Sequence, residues 1–272
     1  MCNDFQTIML VKLLELPVNS WYDAIFLRHS QRKYSAKVPS DEITARIETV
    51  CNEFKPFPGT RAVLVRSPAT DVFTGAVGPF FYKVTEAPYY IAFIGTTSVP
   101  NIQSITGYLG EGVILDATSL GLNSCWVGGF YRREPVLKQI DLQEDERLLA
   151  ITPIGYSKEE SDRVGVSSKR YRRKDLDKLV TSGSLSENSW VKTALEAVRI
   201  APSAANRQPW RFQIGSDSVT VSSNSKRKGF RVSRSLDCGI AMLHLELGAL
   251  AQGVKGNWEF LEYPGVARFR FD

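Results

Sequence analysis

The 272-residue chain predicts an α+β fold in which an antiparallel or mixed sheet is flanked by helices. Three observations carry this expectation. Ile43, Ile47, Val50 and Phe54 recur at offsets of four, seven and eleven, the spacing of one helix face. Pro88 to Gly95 is a continuous apolar run suited to a buried strand. Trp210 to Ile214 and Ser218 to Ser222 flank Gly215-Ser216-Asp217, the pattern of a hairpin.

From the start, Asn19-Ser20 can cap a helix with Trp21, Tyr22, Ile25 and Phe26 on one face, running into Arg28-His29-Ser30-Gln31-Arg32-Lys33-Tyr34. Ser40 caps the second helix, which Pro56 and Pro58-Gly59 close, and Arg61 to Arg66 reads as a strand. Asp71 to Pro79 is loop-like. Ile105 to Leu120 turns helical, with Gly107, Gly110 and Gly112 giving a flexible start that permits close approach of a backbone or a flat ligand. Gly121 to Phe130 reads as a turn, a short strand and the pair Gly128-Gly129, and Leu148 to Tyr156 as a strand. Lys158 to Lys178 is charged and reads as a surface crossing, and Ser182 to Ser189 as a linker. Val191, Leu195 and Val198 mark a helix that Pro202 ends, followed by the small and amide residues of Ser203 to Gln208. Asp237 to Gln252 reads as a helix, and Asn257 to Glu262 and Ala267 to Phe271 as strands.

Composition narrows the function. At 43% hydrophobic the chain can bury a full core. The net charge of +5 is modest and concentrated at Lys169 to Lys174 and Lys226 to Arg234, which favours a small anionic ligand over nucleic acid. Single-strand binding would want interleaved stacking aromatics, and the first cluster holds only Tyr171. The four cysteines are far apart and form no Cys-x-x-Cys pair, so a reducing cytoplasmic setting is expected. Two histidines, His29 and His244, supply neither a zinc site nor a Ser-His-Asp relay. The apolar run Thr7 to Leu16 contains Lys12 and Glu15, too interrupted to span a bilayer, and no targeting segment is read.

An internal comparison adds organisation. Shifted by 132 residues, Gly107, Leu115, Ala117, Gly121 and Trp126 meet Gly239, Leu247, Ala249, Gly253 and Trp258. The expected division is 1–181 as a first half and 182–272 as a shorter second, packed as an internal dimer.

Four stretches point further: Arg28 to Tyr34, Gly121 to Gly129, Ile151 to Tyr156, and Ala201-Pro202-Ser203-Ala204-Ala205-Asn206-Arg207-Gln208-Pro209-Trp210 with Phe212. Taken singly, each has a plain structural reading, the arginines as a solvated helix end and Gly128-Gly129 as a turn. Together the chain resembles the FMN-dependent nitroreductase family, in its branch where two subunit-like halves lie on one polypeptide. Ordinary members carry the Pro-Ser-x-x-Asn-x-Gln-Pro-Trp motif soon after the arginine-serine motif. Here Lys55-Pro56-Phe57-Pro58-Gly59-Thr60 stands where it is expected, and the motif itself lies in the second half.

The resemblance implies a nitroreductase-like fold, one composite FMN site per chain, NAD(P)H as a transient co-substrate, and a small-molecule acceptor such as a nitroaromatic or quinone. It implies a monomer rather than an obligate homodimer, with no membrane or nucleic-acid partner. The alternative is a flavin-binding or degenerate non-catalytic sensing module of the same fold. By resemblance Arg28 and Ser30 would hold phosphate and ribityl atoms with His29 close by. Arg32 would stabilise charge at the N1/O2 edge, and no other side chain is needed for catalysis because the chemistry is that of flavin N5. Gly128 and Gly129 would offer main-chain donors near N5. One of Lys169, Arg170, Arg172 or Arg173 would complete the phosphate pocket, and Pro202, Ser203, Ala204 and Asn206 would pack against and bond the ring. No metal site is expected.

Overall fold

The computed structural model describes residues 16–73, 83–165, 172–185, 189–225 and 232–271. The elements in chain order are α1 (Val18–Leu27), α2 (Asp41–Glu53), β1 (Thr60–Val65), α3 (Thr70–Phe73), β2 (Tyr89–Thr96), α4 (Ile102–Ser119), β3 (Asn123–Ser124), α5 (Arg133–Leu137) and β4 (Glu146–Gly155). There follow α6 (Leu176–Leu179), β5 (Val180–Ser182), α7 (Trp190–Arg199), β6 (Trp210–Ile214), β7 (Ser218–Ser223), α8 (Arg234–Leu250), β8 (Gly256–Phe260) and β9 (Gly265–Phe271). Most of the apolar run before Leu16, most of the Asp71–Pro79 loop, part of the serine-rich linker, Lys169 to Tyr171 and most of the Lys226–Arg234 cluster lie outside the described residues.

Serines start three helices, because a hydroxyl can accept from an orphan amide of the first turn. Ser40 accepts from Ile43 N, Ser189 from Lys192 N and Ser233 from Ser235 N. The last of these begins α8 three residues ahead of the expected Asp237, and its polar first turn hides the start from a hydrophobic pattern. α1 opens on Val18 after Pro17, one residue before the Asn19-Ser20 pair.

The strands form two sheets where the sequence reading described one. The first has the order β1-β2-β4-β3 and is antiparallel throughout. The second has the order β5-β6-β7-β9-β8, antiparallel except that β5 runs parallel to β6. β5 straddles the expected boundary at 181/182, and Val180 and Ser182 pair with Phe212 and Gln213 of the second sheet. Along β2, Ile91 and Phe93 enter the main core while Tyr90, Ala92 and Ile94 enter a smaller one on the other face. Period-two alternation between two covered faces accounts for the unbroken apolar run.

α4 and α8 form the centre, buried along almost their whole lengths. The glycines of α4 are interior contact points, not a flexible lead-in. A Cβ on Gly107 would lie 2.0 Å from Leu236 O, and one on Gly239 would lie 1.8 Å from Ser104 O. The contact is reciprocal: positions 104 and 107 of one helix meet 236 and 239 of the other. Gly110 and Gly112 abut Trp126 and Phe54 in the same way. Among the described residues no helix is long and apolar enough to cross a membrane.

Candidate functional site

The arginine-serine segment leaves α1 in extended form and is pinned to β3: Ser30 bridges Ser124, and Gln31 N donates to Ser124 O at 2.8 Å. An extended chain sends alternate side chains to opposite faces. Ser30 and Arg32 therefore line a cleft together. Gln31 turns the other way, its Nε2 donating to Ser157 Oγ at 2.6 Å while its Oε1 accepts from Arg32 N at 2.8 Å. His29 shares that inner face, its Nε2 bonded to Asp162 O at 2.9 Å, and burial pushes the imidazole below its ordinary value despite those carbonyl contacts. This places His29 in a structural role rather than beside the cleft. Arg28 is not part of the cleft lining either. Its side chain is 3% exposed and faces Glu111, Nε to Oε1 3.8 Å, while Nη1 is buried without a partner.

The opposing wall is the loop between α7 and β6. Pro202 prevents α7 from continuing, and Ala205, Asn206 and Gln208 then adopt φ of 49°, 54° and 47°. Left-handed backbone costs a non-glycine residue about 1 kcal/mol or more, so three in four positions need external support. Arg173 supplies part of it, donating to Ala201 O at 2.9 Å, Ile200 O at 2.9 Å and Asn206 Oδ1 at 2.7 Å. Lys174 Nζ donates to Arg207 O and Gln208 O at 2.9 and 3.1 Å. Asn206 completes the strut, Nδ2 donating to Arg172 O at 2.6 Å. Thus Pro202, Ser203 and Ala204 line the cleft, whereas Asn206 and Arg173 hold the loop's shape from behind and Arg172 is exposed beside it. Arg173→Ala is expected to lower stability by about 2 kcal/mol, the scale for hydrogen bonds to a charged donor, as read by urea denaturation; an unchanged midpoint would remove the strut.

The cleft is partly open to solvent. Gly128 and Gly129 also line it, and a Cβ on Gly128 would lie 2.5 Å from Val232 Cγ2. Its flat apolar walls, Trp126, Val127, Phe130, Leu236 and Ile240, are absent from the sequence-predicted set. The signal for two of them was present, since Trp126 and Phe130 flank the glycine pair; those from α8 are read only once the helices are packed. Trp126 is fixed by its indole donating to Glu111 Oε2 at 2.7 Å and by Phe93 at 4.8 Å between ring centroids.

Glu111 is wholly buried, and His244 Nε2 lies 2.9 Å from its Oε1 while His244 Nδ1 lies 2.9 Å from Ala197 O. A carbonyl only accepts, so His244 Nδ1 donates to Ala197 O. The network ties the Trp126 wall to α7, three residues before its loop begins. Among the described residues no cluster of ligands suits a metal.

Asp237, in the first turn of α8, also lines the cleft. It accepts from Ala204 N at 3.1 Å and from Arg207 Nε at 2.6 Å. Burial outweighs the Arg207 charge and pushes its carboxyl up to about 6 from an ordinary 3.8. Between those values the folded protein binds the extra proton, so stability from this group is full below about pH 4 and lost as pH rises through 6. Urea midpoints measured from pH 4 to 7 should show that fall, and Asp237→Asn should flatten it; an unaltered slope would place the titration elsewhere.

The fold has solved counterparts. The crystal structure of a "putative nitroreductase" from Thermotoga maritima is 18% identical, with a TM-score of 0.60 over 92% of this chain and 93% of that one. A "Putative NADH dehydrogenase/NAD(P)H nitroreductase" from Bacteroides thetaiotaomicron is 23% identical, with a TM-score of 0.46 over 59% of this chain and 95% of that one. An FMN-dependent nitroreductase from Clostridium difficile R20291 is 21% identical, with a TM-score of 0.41 over 50% of this chain and 87% of that one. No curated protein matches the sequence. The sequence model of the family described as "Putative TM nitroreductase" matches residues 20–249, most of the chain. With a nitroreductase-like α+β fold and a cleft built from two distant segments, the chain belongs to this nitroreductase family.

Proposed function

We propose that the cleft holds FMN and that the protein is an oxidoreductase passing electrons from NAD(P)H to a small organic acceptor such as a nitroaromatic or quinone. The observation that carries this reading is the meeting of Ser30 and Arg32 with Pro202, Ser203 and Ala204 across a flat-walled space that Gly128 and Gly129 also line. The residues fit the cofactor. Apolar walls suit a planar ring, hydroxyls and a guanidinium suit its polar edge, and glycines admit the main chain. Two buried polar atoms near Ser30 in the chain or the sheet, Arg28 Nη1 and Ser124 Oγ, have no hydrogen-bond partner, though neither residue lines the cleft.

When bound, FMN supplies the two-electron chemistry at N5. Arg32 offers a fixed positive charge where negative charge develops, and Gly128 and Gly129 present main-chain groups to the ring edge. Ser30 and Ser203 orient polar atoms, Pro202 and Ala204 cover the ring, and Trp126 excludes water from its face. Arg173 is engaged in holding the loop, so the phosphate role stays open among Arg172, exposed beside the loop, and Lys169 and Arg170, which lie outside the described residues.

The same reading makes the chain a monomeric pseudo-dimer. With the short α3 and α5 set aside, the succession α2-β1-β2-α4-β3-β4 has the same order and pairing as α7-β6-β7-α8-β8-β9, and the reciprocal Gly107 and Gly239 contacts support a two-fold relation between α4 and α8. Trp126 and Trp258, 132 residues apart, each donate to a carboxylate of these helices, buried Glu111 at 2.7 Å and half-buried Glu246 at 2.6 Å. Purified protein should show a flavin absorption spectrum, release FMN on heating, and oxidise NADH or NADPH when a nitroaromatic or quinone is added. Protein that takes up no FMN would defeat the cofactor assignment. Flavin-loaded protein inert to both nicotinamides would leave the non-catalytic binding module.

A further inference from the structure

A second cleft is lined by Pro100, Phe260, Leu261 and Glu262 among others. Each of these four stands 132 residues from a residue lining the first cleft: Val232, Gly128, Gly129 and Phe130. The shift is the one that relates Gly107 to Gly239 and Trp126 to Trp258, so the second cleft is the first one's counterpart across the α4–α8 contact.

The two differ where the ligand would lie. The glycine pair of the first becomes Phe260-Leu261 in the second. The loop that corresponds to Ala201–Pro209 is the one between α2 and β1, and it contributes Phe57. The Phe57 ring packs edge-on against Phe260 with centroids 5.0 Å apart, and against Tyr108 at 5.1 Å. In the first cleft the corresponding positions, Pro202 to Ala205 and Gly128-Gly129, line one cleft together, whereas Phe57 packs on Phe260 and is not among the residues lining the second. We infer that Phe57 and Phe260 form a plug that takes the place of the cofactor ring in a second, disused site, so that the chain holds one flavin and not two. Side chains of the protein itself bury the apolar surfaces that a ring buries in the first cleft, and the second half of the core keeps its packing without a ligand. This inference rests on the FMN reading for the shape of the missing ligand and on the repeat for its place.

The test is lumiflavin, the ring without ribityl or phosphate, titrated into the full chain and into Phe57→Ala/Phe260→Gly. Wild type is expected to take one equivalent and the double variant two. Wild type taking none while the variant takes one would defeat the reading of the first cleft and leave the plug standing. A folded variant that gains no equivalent, or a wild type that takes two, would overturn the plug. If the double variant does not fold, Phe57→Ala opens part of the same space. Indole should then raise the variant's melting temperature by a few degrees and leave wild type unmoved; no rise in the variant overturns the inference.

Discussion

Arg32→Ala is expected to slow reduction of the bound flavin by NADH or NADPH about a hundredfold and to lower the flavin midpoint potential. A hundredfold corresponds to about 2.7 kcal/mol of lost stabilisation where negative charge develops. The position supports so large an effect. Arg32 is half-buried in the cleft wall, its backbone held by Gln31 Oε1 and by Thr85 N donating to Arg32 O at 2.9 Å, so the charge is placed before any ligand arrives. Arg32→Lys keeps the charge and should recover part of the loss, though one ammonium replaces a planar fork of donors. Stopped-flow reduction and a dye-coupled potential measurement read both effects. A folded, flavin-loaded Arg32→Ala protein of unchanged potential would remove Arg32 from this role.

Gly239→Ala is expected to cost about 3 kcal/mol, the upper range for overpacking a well-filled interior. The sign is diagnostic, because the same change in an exposed helix gains about 1 kcal/mol. Here the added methyl would sit 1.8 Å from Ser104 O, a backbone atom that moves only if α4 moves. Gly107→Ala, 2.0 Å from Leu236 O, should cost a similar amount. The double variant should cost less than the two singles combined, since one separation of the helices accommodates both methyls. Urea denaturation measures all three, and neutral single variants would contradict the close crossing on which the two-fold relation depends.

The sequence made some of this legible and hid the rest for identifiable reasons. Helical spacing located α2 and α7, and a serine cap marked the start of α2, because both signals are local; the Ser189 cap was read as linker. The partition into two sheets was hidden, since pairing β4 with β2 or β9 with β7 joins residues distant along the chain. Ser30 and Arg32 were readable as a site pair, but their extended conformation sends His29 to the inner face, which a motif read as a block does not reveal. The Ala201–Trp210 stretch was recognisable, yet Asn206 and Arg173 proved to be internal supports for its left-handed backbone. Asp237 escaped notice because its contacts with Ala204 and Arg207 span about thirty residues. Phe57 stood where a motif was missing, and only its contact with Phe260 gives that absence a physical content.

The most direct test of the composite cleft is an FMN titration of the apoprotein, with the mass in solution measured on the same sample. One equivalent of FMN on a single 30.4 kDa chain, weakened by Arg32→Ala, is the expected result. No uptake, two equivalents per chain, or binding that appears only when two chains associate would contradict it.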